Sequence, residues 1–215
     1  MSQFTPKRAA VAPKPLVAAR LNELALAYVA RFATSAARLE AYLLRKLRAA
    51  GWAEGAGDEE GALGEAAMAA GRAAVAGLVA RFVAAGYVDD AGYARMKAGA
   101  LQRRGLGARR IDQALGAAGI DAAIREAVRP GEAAARAAAL GFARRRGLGP
   151  FARRPEAAGD PALRQKQLAA MLRAGHAMGH ARAVLACADA AEAEAWAADA
   201  AEDTPQDDDG GFWDA

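Results

Sequence analysis

From Leu21 onward the apolar positions follow a helical period. Leu21, Leu24, Ala25, Tyr28, Val29 and Phe32 fall at i, i+3, i+4, i+7, i+8 and i+11, which predicts one amphipathic helix with a single buried stripe. Thr34 or Ser35 offers an N-cap oxygen for a second helix. Its stripe runs through Leu39, Tyr42, Leu43, Leu47 and Ala50, and Gly51 is placed to end it. The stretch 53–71, AEGAGDEEGALGEAAMAAG, is glycine-rich and acidic and reads as a loop or insertion with room for one helical turn. A third helix then sets Val75, Leu78, Val79, Phe82 and Val83 on one face and stops at Gly86. In the following YVDD (87–90), Asp89 or Asp90 caps a fourth helix.

At that point the pattern restarts. Tyr93, Met96, Lys97 and Leu101 line a helix that runs into RRGLG at 103–107. Ile111, Leu115 and Ala118 mark the next helix, ending at Gly119. Asp121 caps a short one carrying Ile124 and Val128, which Pro130 stops. A third round starts at Glu132, and Leu140 and Phe142 lead to a second RRGLG at 145–149. A connection with Pro150, Pro155 and Pro161 follows. Then come a helix with Leu163, Leu168, Met171 and Leu172 up to Gly175, and one with Val184 and Leu185.

The ends RKLRAAGW (45–52), DQALGAAGI (112–120) and AAMLRAGH (169–176) share a leucine, small or basic residues and a glycine. The expected fold is therefore all-α, built of tandem three-helix repeats. Its expected parts are a flexible basic leader (1–20), repeat one (21–88, with the insertion 53–71), repeat two (89–130) and repeat three (131–190). An acidic tail (191–215), helical at its start and then disordered, completes the chain. RRGLG marks the joint between the first and second helices of a round, and RFATS (31–35) holds that place in the first round.

Composition supports helices. Alanine dominates the apolar residues and aromatics are 6%, which favours helix over strand. The single Cys187 excludes an internal disulfide framework. The N-terminus lacks an apolar signal core, and no uncharged apolar run is long enough to span a bilayer. A cytoplasmic protein without a membrane partner is expected. The formal charge of +4 divides unevenly: +14 over residues 1–185 and −10 over 186–215. Such a basic body suits a polyanionic partner, with an acidic tail able to compete for the same face.

Catalytic signatures are missing. Neither RRGLG continues into a phosphate-binding glycine loop. His176 and His180 stand at i, i+4 without a glutamate between them, and Cys187 has no activating base near it in sequence. No enzyme, cofactor or metal is expected. The arginines remain: Arg103, Arg104, Arg109 and Arg110 in RRGLGARR, and Arg144, Arg145, Arg146, Arg153 and Arg154 in RRRGLGPFARR. Their forked guanidinium groups suit phosphates and carboxylates, yet basic residues at helix C-termini also favour the macrodipole. Arg45, Lys46 and Arg48 lie in RKLRAAGW, at the end of the second helix of the first round. These ten residues, 153 and 154 apart, are the candidate partner contacts.

The segments ALAYVARFATSAARLEAYLLRKLRAAGW (25–52), AGLVARFVAAGYVDDAGYARMKAGALQRRGLGARRIDQALGAAGI (76–120) and RQKQLAAMLRAGHAMGHARAVL (164–185) resemble the RecX family of bacterial regulatory proteins. The resemblance implies tandem three-helix repeats in an elongated, curved molecule, here a monomer. It implies binding to the RecA recombinase filament and inhibition of RecA in DNA recombination, repair and the SOS response. Direct DNA contact through the arginines is the alternative. His176 departs from the family pattern, which usually has an aromatic residue after the glycine.

Overall fold

A computed structural model describes residues 14–54, 64–152 and 160–202. The first thirteen residues of the expected leader, positions 55–63 of the insertion, Arg153, Arg154 and the tail from 203 lie outside the described residues. Among the described residues there are ten α-helices and no strand beyond one parallel bridge between Leu16 and Trp52. The chain divides into two compact units, up to Tyr93 and from Ala94.

The first unit contains α1 (Ala18–Val29), α2 (Ala36–Ala50), α3 (Glu65–Ala84) and the first turn of α4 (Asp90–Arg103). Leu39, Leu43 and Leu47 make α2 the centre of its core. They share it with Leu21 and Ala25 of α1 and with Val75, Leu78 and Phe82 of α3. By length and composition α3 could cross a membrane. In this unit its buried positions belong to the core around α2.

Three expectations change here. The last residues of the expected leader (1–20) belong to the folded unit, because Leu16 is buried and its amide donates to the Gly51 carbonyl at 2.9 Å. The helix α1 starts at Ala18. The stretch 53–71 is not wholly a loop: from Glu65 it forms the start of α3, with Ala67 and Gly71 buried. Phe32 is not on the buried stripe, since α1 ends at Val29 and the ring is 55% exposed against Tyr28. At the start of α3, alanine and glycine carry too little hydrophobic contrast for periodicity to find the boundary.

Both aspartates of YVDD cap helices. Asp89 Oδ1 accepts the Gly92 amide of its own helix at 2.9 Å. Asp90 Oδ1 instead accepts the Ala36 amide at 2.8 Å, far away in sequence, at the start of α2. Ser35 supplies the other cap of α2, accepting the Arg38 amide at 3.3 Å. Two otherwise orphaned donors of α2 are thus satisfied, one of them from another helix.

The second unit holds the rest of α4, then α5 (Ala108–Gly116), α6 (Ala122–Ala127), α7 (Glu132–Arg146), α8 (Pro161–Arg173), α9 (Met178–Ala186) and α10 (Ala190–Glu202). On α4 the buried positions are Tyr93, Ala94, Ala98 and Leu101, while Met96 is 48% exposed. Two of these four buried positions are alanines, so the larger methionine misleads the reading. Helix α7 is the hub, packing on α8, α9 and α10. Its buried side chains are Ala138, Ala139, Phe142 and Ala143.

Replacing Asp90 by alanine removes the distant cap of α2 and is expected to cost about 1 kcal/mol. Asp90→Asn keeps an accepting oxygen and should lose much less. Urea unfolding of the two variants checks this; equal losses would show that the contact with Ala36 is not the cause.

Candidate partner-binding site

Both RRGLG copies close a helix in the same way. The Gly105 amide donates to Gln102 O at 2.7 Å and the Leu106 amide to Leu101 O at 3.1 Å. In the second copy Gly147 donates to Arg144 O at 3.3 Å and Leu148 to Ala143 O at 2.9 Å. This pair of bonds is the Schellman closure, and it places the first glycine in the left-handed region. The φ angles agree, 73° at Gly105 and 62° at Gly147. The last glycines differ: Gly149 has φ 54°, but Gly107 has φ −79° and becomes the N-cap of α5.

Gly107 is needed for closeness instead. Its amide donates to Ala174 O at 2.9 Å, and the Arg109 amide donates to Gly175 O at 3.2 Å. A Cβ on Gly107 would run into the Gly175 carbonyl, and one on Gly175 into the Arg110 backbone. The α4–α5 joint and the α8–α9 turn therefore meet backbone to backbone. His176 locks them: its Nε2–H donates to the Gly105 carbonyl at 3.1 Å, and its ring lies 5.3 Å from Phe142 of α7. The imidazole keeps the aromatic packing and adds a hydrogen bond. Burial holds its pKa below the usual histidine value, against the raising effect of the Gly105 bond.

This contact organises the arginines. A groove of about 300 Å³ runs between α4 and α7, floored by small residues including Gly99, Gly105, Ala138 and Gly141. Arg103 and Arg145 line it, the first arginine of each RRGLG copy. The Arg145 guanidinium lies over Gly105, filling space that a side chain there would need. Both arginines are exposed. A second hollow, about 320 Å³, brings Arg109 beside Arg173 of α8. Arg104 is exposed, and exposed Arg110 reaches Gln113 at 3.4 Å.

The remaining candidates lie elsewhere. Arg144 pairs with Glu194 of α10 and stands 5.2 Å over the Phe151 ring. Arg146 stands 5.8 Å over Phe142. Arg45, Lys46 and Arg48 are exposed on α2 in the first unit, the first two over the Tyr42 ring at 5.5 and 5.6 Å. Tyr42 stacks on Tyr28 at 4.3 Å. Arg136 and Arg173 escaped the sequence reading. Arg136 carries the signal of an i,i+4 pair with Glu132, but its other partners on α10 emerge only from packing.

Two sequence candidates take other roles. His180 faces the Glu132 carboxylate at 3.0 Å, so it does not join His176 on one ligand. Among the described residues no group of three or more metal-ligating side chains forms. The Cys187 thiol donates to Ala183 O at 3.3 Å, and burial raises its pKa, which disfavours a nucleophilic thiolate. The groove offers two guanidinium groups over a glycine and alanine floor. That chemistry receives carboxylates or phosphates and lets a partner approach closely.

Gly107→Ala meets no backbone penalty at φ −79°, so any loss reports the close approach. The variant should lose about 1–3 kcal/mol through overpacking. Gly179→Ala, in α9 with open space around it, should gain up to about 1 kcal/mol; thermal melts compare the two. His176 makes a second expectation. Its folded pKa is depressed, so its contribution is present above the unfolded value of about 6.5 and is lost as pH falls below it. His176→Phe should flatten that acid limb in stability measured against pH.

No protein-family model matches the chain. It is 33% identical over 183 residues to the regulatory protein RecX of Myxococcus xanthus (strain DK1622), across 84% of this chain and 89% of that protein. The aligned span takes in most of both chains, and the first RRGLG joint falls within one of the segments that carry the resemblance. This chain belongs to the RecX family of regulatory proteins.

Proposed function

We propose that this protein is a non-catalytic cytoplasmic regulator that binds the RecA nucleoprotein filament as a monomer and inhibits RecA in recombination and repair. Helices α1–α9 are taken as three successive three-helix repeats, with α10 appended. Supporting this, the second helix of each round is followed by a glycine of positive φ: Gly51 at 79°, Gly119 at 72° and Gly175 at 94°. The observation that carries the functional reading is the placement of Arg103 and Arg145 in one exposed groove. Two motif copies 42 positions apart contribute equivalent arginines to one surface. A solvated helix end alone does not require that convergence.

A second reading is direct binding to nucleic acid. The Phe32, Tyr28 and Tyr42 rings with Arg45 and Lys46 favour it, because aromatic rings flanked by cations stack bases. The two readings separate by salt and partner. Binding to bare single strands should fall with salt by a log–log slope of about −0.7 per phosphate contacted. The filament reading predicts tighter binding to RecA-coated than to bare single-stranded DNA at every salt concentration.

The variant Arg103→Ala with Arg145→Ala should keep its helicity, since alanine is at least as good a helix former. Its inhibition of RecA strand exchange should weaken tenfold or more, because each charge-assisted contact contributes about 1.5–3 kcal/mol when desolvated. Undiminished inhibition by the folded double variant would overturn the groove as the contact.

A further inference from the structure

Helix α7 has a second set of basic residues, Arg136 and Arg144, that do not line the groove, and α10 lies against them. Glu194 pairs with Arg144 near the end of α7, and Asp199 approaches Arg136, one to two turns from its start, at 3.7 Å. The two helices are therefore antiparallel. Arg136 also donates to the Trp196 carbonyl at 3.1 Å and stands 5.3 Å over its ring. The rest of the interface is close and built mainly of small side chains, with Trp196 packed against the core around Phe142. Its buried side chains include Ala139 and Ala143 on α7 and Ala193 and Ala200 on α10, while Trp196 is half-buried.

Alanine against alanine buries little apolar area, unlike the leucine core of α2. The carboxylates that hold α10 sit in solvent, with Glu194 55% and Asp199 76% exposed. Such ion pairs are weak and are screened by salt. α10 is thus the acidic occupant of a basic surface, held by small-residue packing, by the Trp196 ring and by charges that an anionic partner would compete for.

The geometry points to α10 as a detachable acidic cover: in the free protein it occupies the Arg136–Arg144 face of α7, and it yields that face to the anionic surface of the partner. The face is a further binding site beside the groove. Its part in filament binding rests on the function proposed above, whereas detachment of the helix does not.

Hydrogen exchange of the full chain, read on α10 and on α9 as reference, tests detachment. Between about 0.05 M and about 1 M salt, where the screening length falls to about 3 Å, α10 exchange should accelerate tenfold or more while α9 stays constant. The variant Glu194→Lys with Asp199→Lys should exchange rapidly in α10 even at low salt. Asp207→Lys with Asp208→Lys makes the same change in net charge outside α10 and should leave it slow. At low salt the first variant should bind RecA-coated single-stranded DNA about tenfold tighter than the second, with the difference vanishing at high salt. Protection of α10 equal to that of α9 at both salt concentrations and in the charge-reversed variant would overturn the cover. Equal filament affinity of the two variants would overturn the competition. Failure of every form to bind the filament would overturn the functional reading, and the exchange data would still decide whether α10 detaches.

Discussion

The backbone contact between Gly105–Gly107 and Ala174–His176 is what the arrangement of the second unit depends on. A helix end leaves polar groups without partners, and here the end of one helix pair supplies the other. The Gly107 and Arg109 amides find the Ala174 and Gly175 carbonyls, and His176 caps the remaining Gly105 carbonyl. No side chain fits between the two turns, which is why both Gly107 and Gly175 are glycine. A hydrogen-bonded contact between turns fixes register more tightly than alanine-rich helix faces could. With register set, α4 and α7 lie close enough for Arg103 and Arg145 to line one groove.

Charge is arranged around the same scaffold in two ways. The groove arginines and the Arg109–Arg173 hollow present guanidinium groups to solvent. Arg136 and Arg144 are instead met by carboxylates of α10. The acidic segment is therefore not uniform. Its first part is a helix packed on α7, and the charge it brings neutralises part of the basic body that the bare count assigns to a partner. Glu132 belongs to this region as well. Its bond from Arg136, with a smaller one from His180, holds its carboxyl below the ordinary range, so that it stays charged where α7 begins.

Much of the fold was legible because local rules decided it. Ser35, Asp89 and Asp121 cap helices as their positions suggested. Gly51, Gly86, Gly119 and Gly175 take positive φ at the helix ends where apolar periodicity stopped. The leucine stripe of α2 is the core of the first unit. Misreadings fall where alanine and glycine replace larger side chains: the start of α3 and the buried face of α4. A period carried by methyl groups is hard to separate from composition. Phe32 misled for the opposite reason, being a large apolar residue beyond the end of its helix.

What the sequence by itself determined is the set of helices, their caps and the recurrence of RRGLG as a helix-ending joint, because each follows from bonds spanning five residues or fewer. Tertiary structure decided which polar end groups satisfy one another. Asp90 on α2 and Ala174 on Gly107 are pairings across 54 and 67 positions, and no local pattern encodes them. It also sorted the arginines, sending Arg145 to the groove and Arg144 to α10 although they are neighbours. On a helix adjacent residues point about 100° apart, so which neighbour each meets depends on what packs there.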